Sequence, residues 1–214
     1  MPANIAYRQV VRDDLPAIGA VFLAAFPDSV AHYVGHSIPP DVMADALAIC
    51  LDAEPAAFFI ARVDDHIAGY IFAPAHTSRL VKTFLWRGYI ARMVWGWLSG
   101  RYQLGWRPVW ISLKNWLHFL RDADNAQLGS DARIFSVAVD PAFQGKGLGN
   151  QLMRLGLDYL REQRAEMVRL EVRPDNGPAR HLYEKTGFVP RGCTHDSQGE
   201  WLIMLKKMRN GHGA

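Results

Sequence analysis

The feature that most constrains this chain is a glycine-rich turn between a predicted strand and a predicted helix. The strand covers Ile134–Val139, and the helix covers residues 147–163 with apolar residues at helical spacing. Gly145, Gly147 and Gly149 alternate along the turn. Glycines leave backbone N–H groups bare, and a helix start adds unpaired N–H donors with a partial positive charge. The segment therefore predicts a cradle for an anion such as a pyrophosphate, although a plain helix-start turn is the alternative.

The spacing of the turn excludes two other nucleotide-binding patterns. A P-loop needs Ser or Thr after its lysine, whereas Lys146 is followed by Gly147. A dinucleotide-binding GxGxxG would need glycine at Asn150. The pattern that fits is QxxGxG, formed by Gln144, Gly147 and Gly149.

Strands and helices alternate along the chain, which is typical of an α/β (α+β) fold with one mixed sheet flanked by helices. The strands are predicted at residues 5–11, 57–63, 66–72, 134–139, 167–173, 188–193 and 201–206. Helices are predicted after Asp14 and over residues 41–53, 147–163 and 178–186, and residues 27–40 are expected to form a loop or an irregular helix. The strand at 167–173 alternates apolar residues with Arg169, Glu171 and Arg173, which predicts one buried and one solvated face.

Residues 75–133 are interpreted as a helical insertion between the third and fourth strands of a single domain that spans residues 1–214. From His66 to Arg121 there are eight basic residues and no acidic ones, although the whole chain carries 24 basic and 21 acidic residues. The same stretch holds six of the seven tryptophans. Lys82, Arg87 and Arg92 interrupt its apolar part, so we do not expect a membrane-spanning helix.

Three interpretations of the insertion remain open. In the first, it forms extra core or a dimer face. In the second, it forms a wall of an acceptor pocket for an acidic or partly apolar amine. In the third, it contacts a membrane surface through residues 79–121. Nucleic-acid binding is not expected. Two cysteines, Cys50 and Cys193, are too few for a disulfide framework or a cysteine-based zinc cluster. His32 and His36 lack a third ligand, so no metal is expected. The N-terminal residues show no apolar signal segment, which favours a cytoplasmic protein.

A second sequence motif, from Leu170 to Phe188, follows the glycine-rich turn along the chain. It reads E-V-R-x-x-N-x-x-A-x-x-L-Y-x-x-x-G-F. With the turn, it resembles the GNAT superfamily of acetyl-CoA-dependent N-acetyltransferases, and most closely the ribosomal-protein N-terminal acetyltransferases within it. The resemblance is strong over residues 134–188, loose over residues 5–72 and absent from residues 75–132.

The resemblance implies a sheet that splays open between the Val137 strand and the Val168 strand, with acetyl-CoA as the acyl donor. It implies that the cofactor arm pairs with Val137, Ala138 and Val139, and that Asn176 bonds the arm or the reacting carbonyl. The pyrophosphate is expected on the N–H groups of the turn, with the cofactor-binding residues Gln144, Gly145, Lys146, Gly147, Leu148, Gly149 and Asn150.

Tyr183 and Glu171 are the catalytic candidates that the resemblance implies. Tyr183 matches the general acid, because a phenol can protonate a departing thiolate. A packed aromatic residue is the alternative. Glu171 matches a general base, with a solvated surface carboxylate as its alternative, and water or a backbone carbonyl can replace it in that role. The function expected is acetyl transfer to a primary amine of a small molecule or a protein by direct attack. The alternative is a non-catalytic acyl-CoA sensor that acts through the insertion.

Overall fold

The computed structural model describes residues 4–34, 38, 40–100 and 131–208. Its strands are β1 (Ile5–Gln9), β2 (Phe58–Val63), β3 (His66–Phe72), β4 (Ser136–Val139), β5 (Met167–Val172), β6 (Val189–Asp196) and β7 (Gly199–Lys207). Its longer helices are α1 (Leu15–Ala25), α2 (Pro27–Val34), α3 (Pro40–Ala53), α4 (Thr77–Trp86), α5 (Tyr89–Leu98), α6 (Leu148–Glu162) and α7 (Gly177–Lys185). Each predicted strand and helix within the described residues is present, with bounds shifted by a few residues.

The strands form two antiparallel sheets that separate between β4 and β5. One sheet has the order β1-β2-β3-β4 and the other β5-β7-β6. They touch at one parallel bridge, where the Ile134 N–H donates to the Arg169 carbonyl at 2.9 Å and the Arg169 N–H donates to the Ala132 carbonyl at 3.1 Å. Beyond that bridge, within the described residues, β4 pairs with β3 alone, so its other edge faces an opening. The splayed, flanked sheet that the resemblance implied is confirmed.

Helix α6 covers the first sheet and carries the glycine-rich turn at its N-terminus. Its buried face includes Leu148, Leu152 and Leu160, each almost wholly enclosed. The helix approaches β3 so closely that a Cβ on Gly156 would lie 2.8 Å from the Cδ1 of Ile71. This close packing fixes where the start of α6 stands relative to β4.

Of the two alternatives for residues 27–40, a helix is present: α1 ends at Ala25, and Pro27 begins the eight-residue helix α2, where the missing proline N–H costs nothing. One sequence-based expectation needs correction. Arg169 does not lie on a solvated face, because only 4% of its surface is exposed. Its Nε donates to Glu171 at 2.6 Å, and this partner allows a guanidinium to be buried.

The described part of the insertion is helical, as predicted, but its apolar stretch forms two helices rather than one. They are separated at Arg87 and Gly88, where Gly88 has a φ of +72°. Residues 101–130 lie outside the described residues, and the amphipathic helix predicted at 108–121 falls there.

Acidic residues of α3 and the segment after it neutralise much of the charge of α4 and α5. Three ion pairs cross this contact: Arg92 with Asp45 at 2.9 Å, Arg87 with Asp52 at 3.4 Å and Arg79 with Glu54 at 3.8 Å. Burial alone would raise the pKa of Asp52, but the Tyr89 hydroxyl and the Arg12 and Arg87 guanidinium groups outweigh it and lower that pKa. The basic insertion is therefore held partly by the acidic body of the same chain.

Glu54 anchors the first residues of the insertion. Its side chain is 3% exposed and accepts bonds from the Ala75 N–H at 2.7 Å, the His76 N–H at 3.2 Å and the Tyr159 hydroxyl at 2.7 Å. A buried carboxylate needs such partners, since an unpaired one would cost several kcal/mol. Glu54 thereby ties α6 to the start of α4.

Candidate active site

The glycine-rich turn adopts a conformation that glycine favours and that leaves space for a ligand. Gly145 and Gly147 have φ values of +77° and +79°, and a Cβ at either position would meet no atom within 4 Å. Gly147 is the N-cap residue of α6 and supplies no side-chain cap. The first N–H groups of α6 therefore remain available to an anion, and the helix dipole favours negative charge there.

Side chains brace the turn from the strand side. The Nε2 of Gln144 donates to the Val139 carbonyl at 3.1 Å, and the Asp140 carboxylate accepts from the Ala142 N–H at 2.8 Å. The ammonium of Lys146 lies 4.9 Å from the ring centroid of Phe143. The turn thus holds its shape through contacts of its own residues.

A first cavity of about 610 Å³ begins at this turn and runs between β4 and α7. A Cβ added to Gly149 would lie 3.5 Å from Leu182 of α7 and 3.9 Å from Val139 of β4, so both walls are close at that point. Among the predicted cofactor-binding residues, the cavity is lined by Val137, Ala138, Val139, Gln144, Gly145, Gly147, Leu148, Gly149, Asn150, Asn176 and Tyr183. Lys146, also predicted to bind the cofactor, is not in its wall.

A second cavity of about 390 Å³ adjoins the first. It lies among α1, α2, the start of β4, the end of β5 and the β6–β7 hairpin. The two cavities share five lining residues: Phe26, Val137, Asn176, Ala179 and Tyr183. They therefore meet where the two sheets separate.

Tyr183 stands at the junction of the two cavities. It is 8% exposed, and its ring packs edge-on against Phe188 with centroids 6.2 Å apart. Burial raises the pKa of Tyr183 to about 12, so the phenol keeps its proton at neutral pH. Within the described residues its hydroxyl has no hydrogen-bond partner, which leaves it free to donate to a bound molecule.

Glu171 lines the second cavity but not the first. Its Oε1 accepts from the Nε of Arg169 at 2.6 Å and lies 3.4 Å from an Nη1 of Arg133. Two guanidinium groups thus position this carboxylate on the same cavity as Tyr183.

Asn176 caps helix α7 and faces both cavities. Its Oδ1 accepts from the Ala179 N–H at 3.1 Å. Because the oxygen is engaged as a cap, the side-chain Nδ2 is the group that can donate to a ligand.

Sequence reasoning missed most of the second cavity. Phe22 and Phe26 pack against the hydrophobic core and also line the cavity, with ring centroids 5.0 Å apart. The His32 Nε2 lies 3.3 Å from the Ser197 hydroxyl, and His36 is outside the described residues. His181 is exposed and also lines the first cavity. Helical periodicity marks an apolar face but does not say whether that face meets core or cavity.

The described residues offer neither a metal site nor a membrane-spanning helix. In the parts of the chain that the structure describes, no three His, Cys, Asp or Glu side chains cluster in a way that could hold a metal ion. None of the described helices combines the length and the apolar character that crossing a bilayer requires.

Curated relatives match short segments of the chain. A putative ribosomal protein bS18-alanine N-acetyltransferase of Bacillus subtilis is 40% identical over 62 residues, which are 29% of this chain and 41% of that protein. A mycothiol acetyltransferase of Rhodococcus erythropolis is 42% identical over 67 residues, which are 31% of this chain and 21% of that protein. The chain therefore spans less than half the length of these relatives.

Solved structures match almost the whole fold. SsHAT has a TM-score of 0.65 at 22% identity, covering 95% of this chain and 98% of that one. The protein yncA of Salmonella typhimurium, described as a putative acetyltransferase and solved with acetyl-CoA, has a TM-score of 0.58 at 15% identity, and the match covers 98% of this chain and 96% of that one. At these identities the likeness concerns the fold.

A match over most of the chain gives the assignment. The Acetyltransferase (GNAT) family matches residues 24–188, a range that contains the glycine-rich turn, the opening between the sheets and Tyr183. This chain therefore belongs to the GNAT acetyltransferase family.

Proposed function

We propose that this protein is an acetyl-CoA-dependent N-acetyltransferase that passes acetyl to a primary amine by direct attack in a ternary complex. The observation that carries the proposal is the junction of the two cavities at Tyr183. A donor in the first cavity and an acceptor in the second would meet there. Holding both reactants in one site replaces a bimolecular encounter by an oriented one.

The first cavity suits the coenzyme A portion of the donor. The α6 N-terminus and the bare N–H groups from Gly145 to Asn150 would hold the pyrophosphate. The free edge of β4, at Val137–Val139, offers backbone groups to the amides of the arm, and the Asn176 Nδ2 offers a donor to a carbonyl oxygen.

The chemistry requires two proton movements on the amine side and one on the sulfur side. The ammonium of the acceptor gives up a proton before its nitrogen attacks the thioester carbonyl. As the C–N bond forms and the C–S bond breaks, the nitrogen loses a second proton and the sulfur gains one. The buried phenol of Tyr183 is suited to supply the proton that the sulfur takes.

Glu171 is the side-chain base that this proposal assigns. It lines the acceptor cavity with Tyr183, and a carboxylate there also attracts an ammonium ion. Water at the cavity mouth is the alternative route for the proton.

The direct test is release of coenzyme A from acetyl-CoA in the presence of amines, followed with a thiol reagent. We expect release to depend on the amine and to match the acetylated amine one to one by mass spectrometry. Tight binding of acetyl-CoA without amine-dependent release would instead favour the non-catalytic sensor. Absence of both binding and release would reject the proposal.

The described helices of the insertion support a further part of the proposal, a peripheral contact with a membrane. Trp86, Trp95 and Leu98 expose 85%, 72% and 66% of their surfaces. In the described part of the insertion, no residue lines either cavity, which gives no support to an acceptor-wall role for residues 75–100. Exposed tryptophan beside arginine and lysine is typical of membrane-interface segments.

Co-sedimentation with vesicles tests this contact. We expect binding to phosphatidylcholine vesicles to increase when half of the lipid is phosphatidylglycerol, and the pair Trp86→Ser with Trp95→Ser to weaken it roughly tenfold. Ile5→Ser, at an exposed apolar residue of β1, is the matched control. Equal binding to both vesicle types, or a Trp-dependent dimer by light scattering, would contradict membrane contact and favour a dimer face.

A further inference from the structure

We infer that the second cavity selects a primary amine carried on a small apolar body, in preference to an acidic amine or an extended peptide. The inference rests on the proposed function and names the acceptor class for the same site. It follows from the side chains of the cavity wall, from the pairing of its charges and from the contacts that close one side of it.

The wall of the second cavity is mainly apolar. It is lined by Phe22 of α1, Phe26 just after α1, Val30 of α2, Met43 of α3, Phe135 before β4 and Trp201 of β7. These side chains come from five separate segments of the chain and converge on one space. Most of them are only partly buried by protein atoms, so an apolar ligand would remove further apolar surface from water.

Among the described residues, the charged groups that line this wall leave little to attract an acidic acceptor. Arg169 and Arg133, which do not line the cavity, pair with Glu171, whose carboxylate is the acidic group of the wall and attracts an ammonium group. Arg173 is the cationic member of the lining set, and its Nη1 already donates to the carbonyls of Gln198 at 2.9 Å and Glu200 at 3.2 Å. Its guanidinium also lies 5.3 Å from the centroid of the Trp201 ring. Arg173 is therefore part of the wall, held in place by the hairpin.

Contacts between α2 and the β6–β7 hairpin close one side of the cavity. The Ser29 hydroxyl lies 3.4 Å from the Gln198 Oε1, and both residues line the cavity. One helical turn further, the His32 Nε2 lies 3.3 Å from the Ser197 hydroxyl. A peptide acceptor has to extend beyond the cavity, and these contacts block its exit between α2 and the β6–β7 hairpin.

The volume agrees with a small acceptor. At about 390 Å³ the cavity lies near the lower end of the range for small-molecule sites. An amine with one ring or one branched chain fills such a space, with its nitrogen near Glu171 and Tyr183 and its apolar body against the phenylalanine rings.

The test compares kcat/KM for four acceptors under identical conditions with saturating acetyl-CoA. They are 2-phenylethylamine, glutamate, spermidine and a hexapeptide with a free N-terminal alanine. We expect 2-phenylethylamine to exceed each of the other three at least about a hundredfold, since burying its ring adds a few kcal/mol of hydrophobic free energy. A preference for glutamate, spermidine or the peptide would overturn the inference.

Phe135 provides the variant that probes the apolar wall. It is 47% exposed and lines the second cavity but not the first, so its loss should spare folding and donor binding. We expect Phe135→Ala to raise KM for 2-phenylethylamine about tenfold with KM for acetyl-CoA unchanged, and Phe135→Leu to restore most of the loss. Ile5→Ala removes a similarly exposed apolar side chain that lines neither cavity and should change nothing.

The outcomes distinguish an error in the acceptor class from an error in the proposed acetyltransferase activity. Turnover with glutamate, spermidine or the peptide, insensitive to Phe135, would contradict the acceptor class and leave the acetyltransferase proposal intact. No turnover with any of the four amines, despite binding of acetyl-CoA, would count against the inference and against catalysis alike. An equal loss at Phe135 for all four acceptors would also contradict an apolar preference.

Discussion

Replacing Gly147 with aspartate should abolish measurable coenzyme A binding, a loss of at least about a hundredfold in affinity, or nearly 3 kcal/mol. Gly147 has a φ of +79°, and a Cβ there would enter open space at the start of α6. The new carboxylate would occupy the N–H groups proposed for the pyrophosphate and would repel its charge. Titration calorimetry with coenzyme A measures the effect directly.

Gly88 offers a matched control for this substitution. It has a φ of +72°, precedes a helix as its N-cap and has no atom within 4 Å of a Cβ position. Gly88→Asp therefore carries a similar backbone cost, about 1 kcal/mol, without touching either cavity. Equal loss of binding in both variants, or retained binding in Gly147→Asp, would contradict a pyrophosphate site at the turn.

Tyr183→Phe should lower kcat about a hundredfold or more while coenzyme A binding stays within about twofold. The substitution removes the proton donor from the junction of the cavities but keeps the ring against Phe188. Rapid-quench measurement of the first turnover, alongside calorimetry, separates the chemical step from binding. Unchanged turnover would remove Tyr183 from the mechanism.

Tyr89→Phe is the control for loss of a phenol elsewhere. The Tyr89 hydroxyl donates to Asp52 at 2.6 Å, away from both cavities, so we expect about 1 kcal/mol less stability and unchanged turnover.

The pH dependence of kcat is a second test of Tyr183 as the general acid. Burial raises the pKa of Tyr183 to about 12, so the phenol stays protonated as the pH rises. At pH values up to about 10, we therefore expect no fall in kcat from ionisation of Tyr183.

Local patterns predicted the parts of the fold that local physics controls. The hairpin of β2 and β3 follows from two apolar runs around Asp64, which takes a φ of +54° in the turn. The turn from Gln144 to Gly149 and the helix after it follow from glycine spacing and from the apolar stripe of α6. The single domain with its insertion at residues 75–133 stays a prediction.

Local sequence patterns did not predict the surroundings of residues that are contacted by distant segments of the chain. The alternation of β5 assigned Arg169 to solvent, but the segment at Arg133 bridges to its backbone, and Glu171, two residues along the same strand, pairs with its side chain and allows its burial. Phe22 and Phe26 satisfied the pattern of a core helix while facing a cavity. Neither outcome can be read from spacing along one strand or one helix.

The sequence by itself predicted the glycine-rich turn and the order of strands and helices, because motif spacing and periodicity are local properties of the chain. The candidates Tyr183 and Glu171 came from the resemblance of its motifs to the GNAT superfamily. Only the tertiary structure decided that the sheets separate after a single bridge at Arg169 and that two cavities meet at Tyr183. It also decided that side chains from five distant segments form the apolar wall of the second cavity. The physical reason is that an opening between sheets depends on which strand edges stay unpaired, and packing between remote segments sets that pairing.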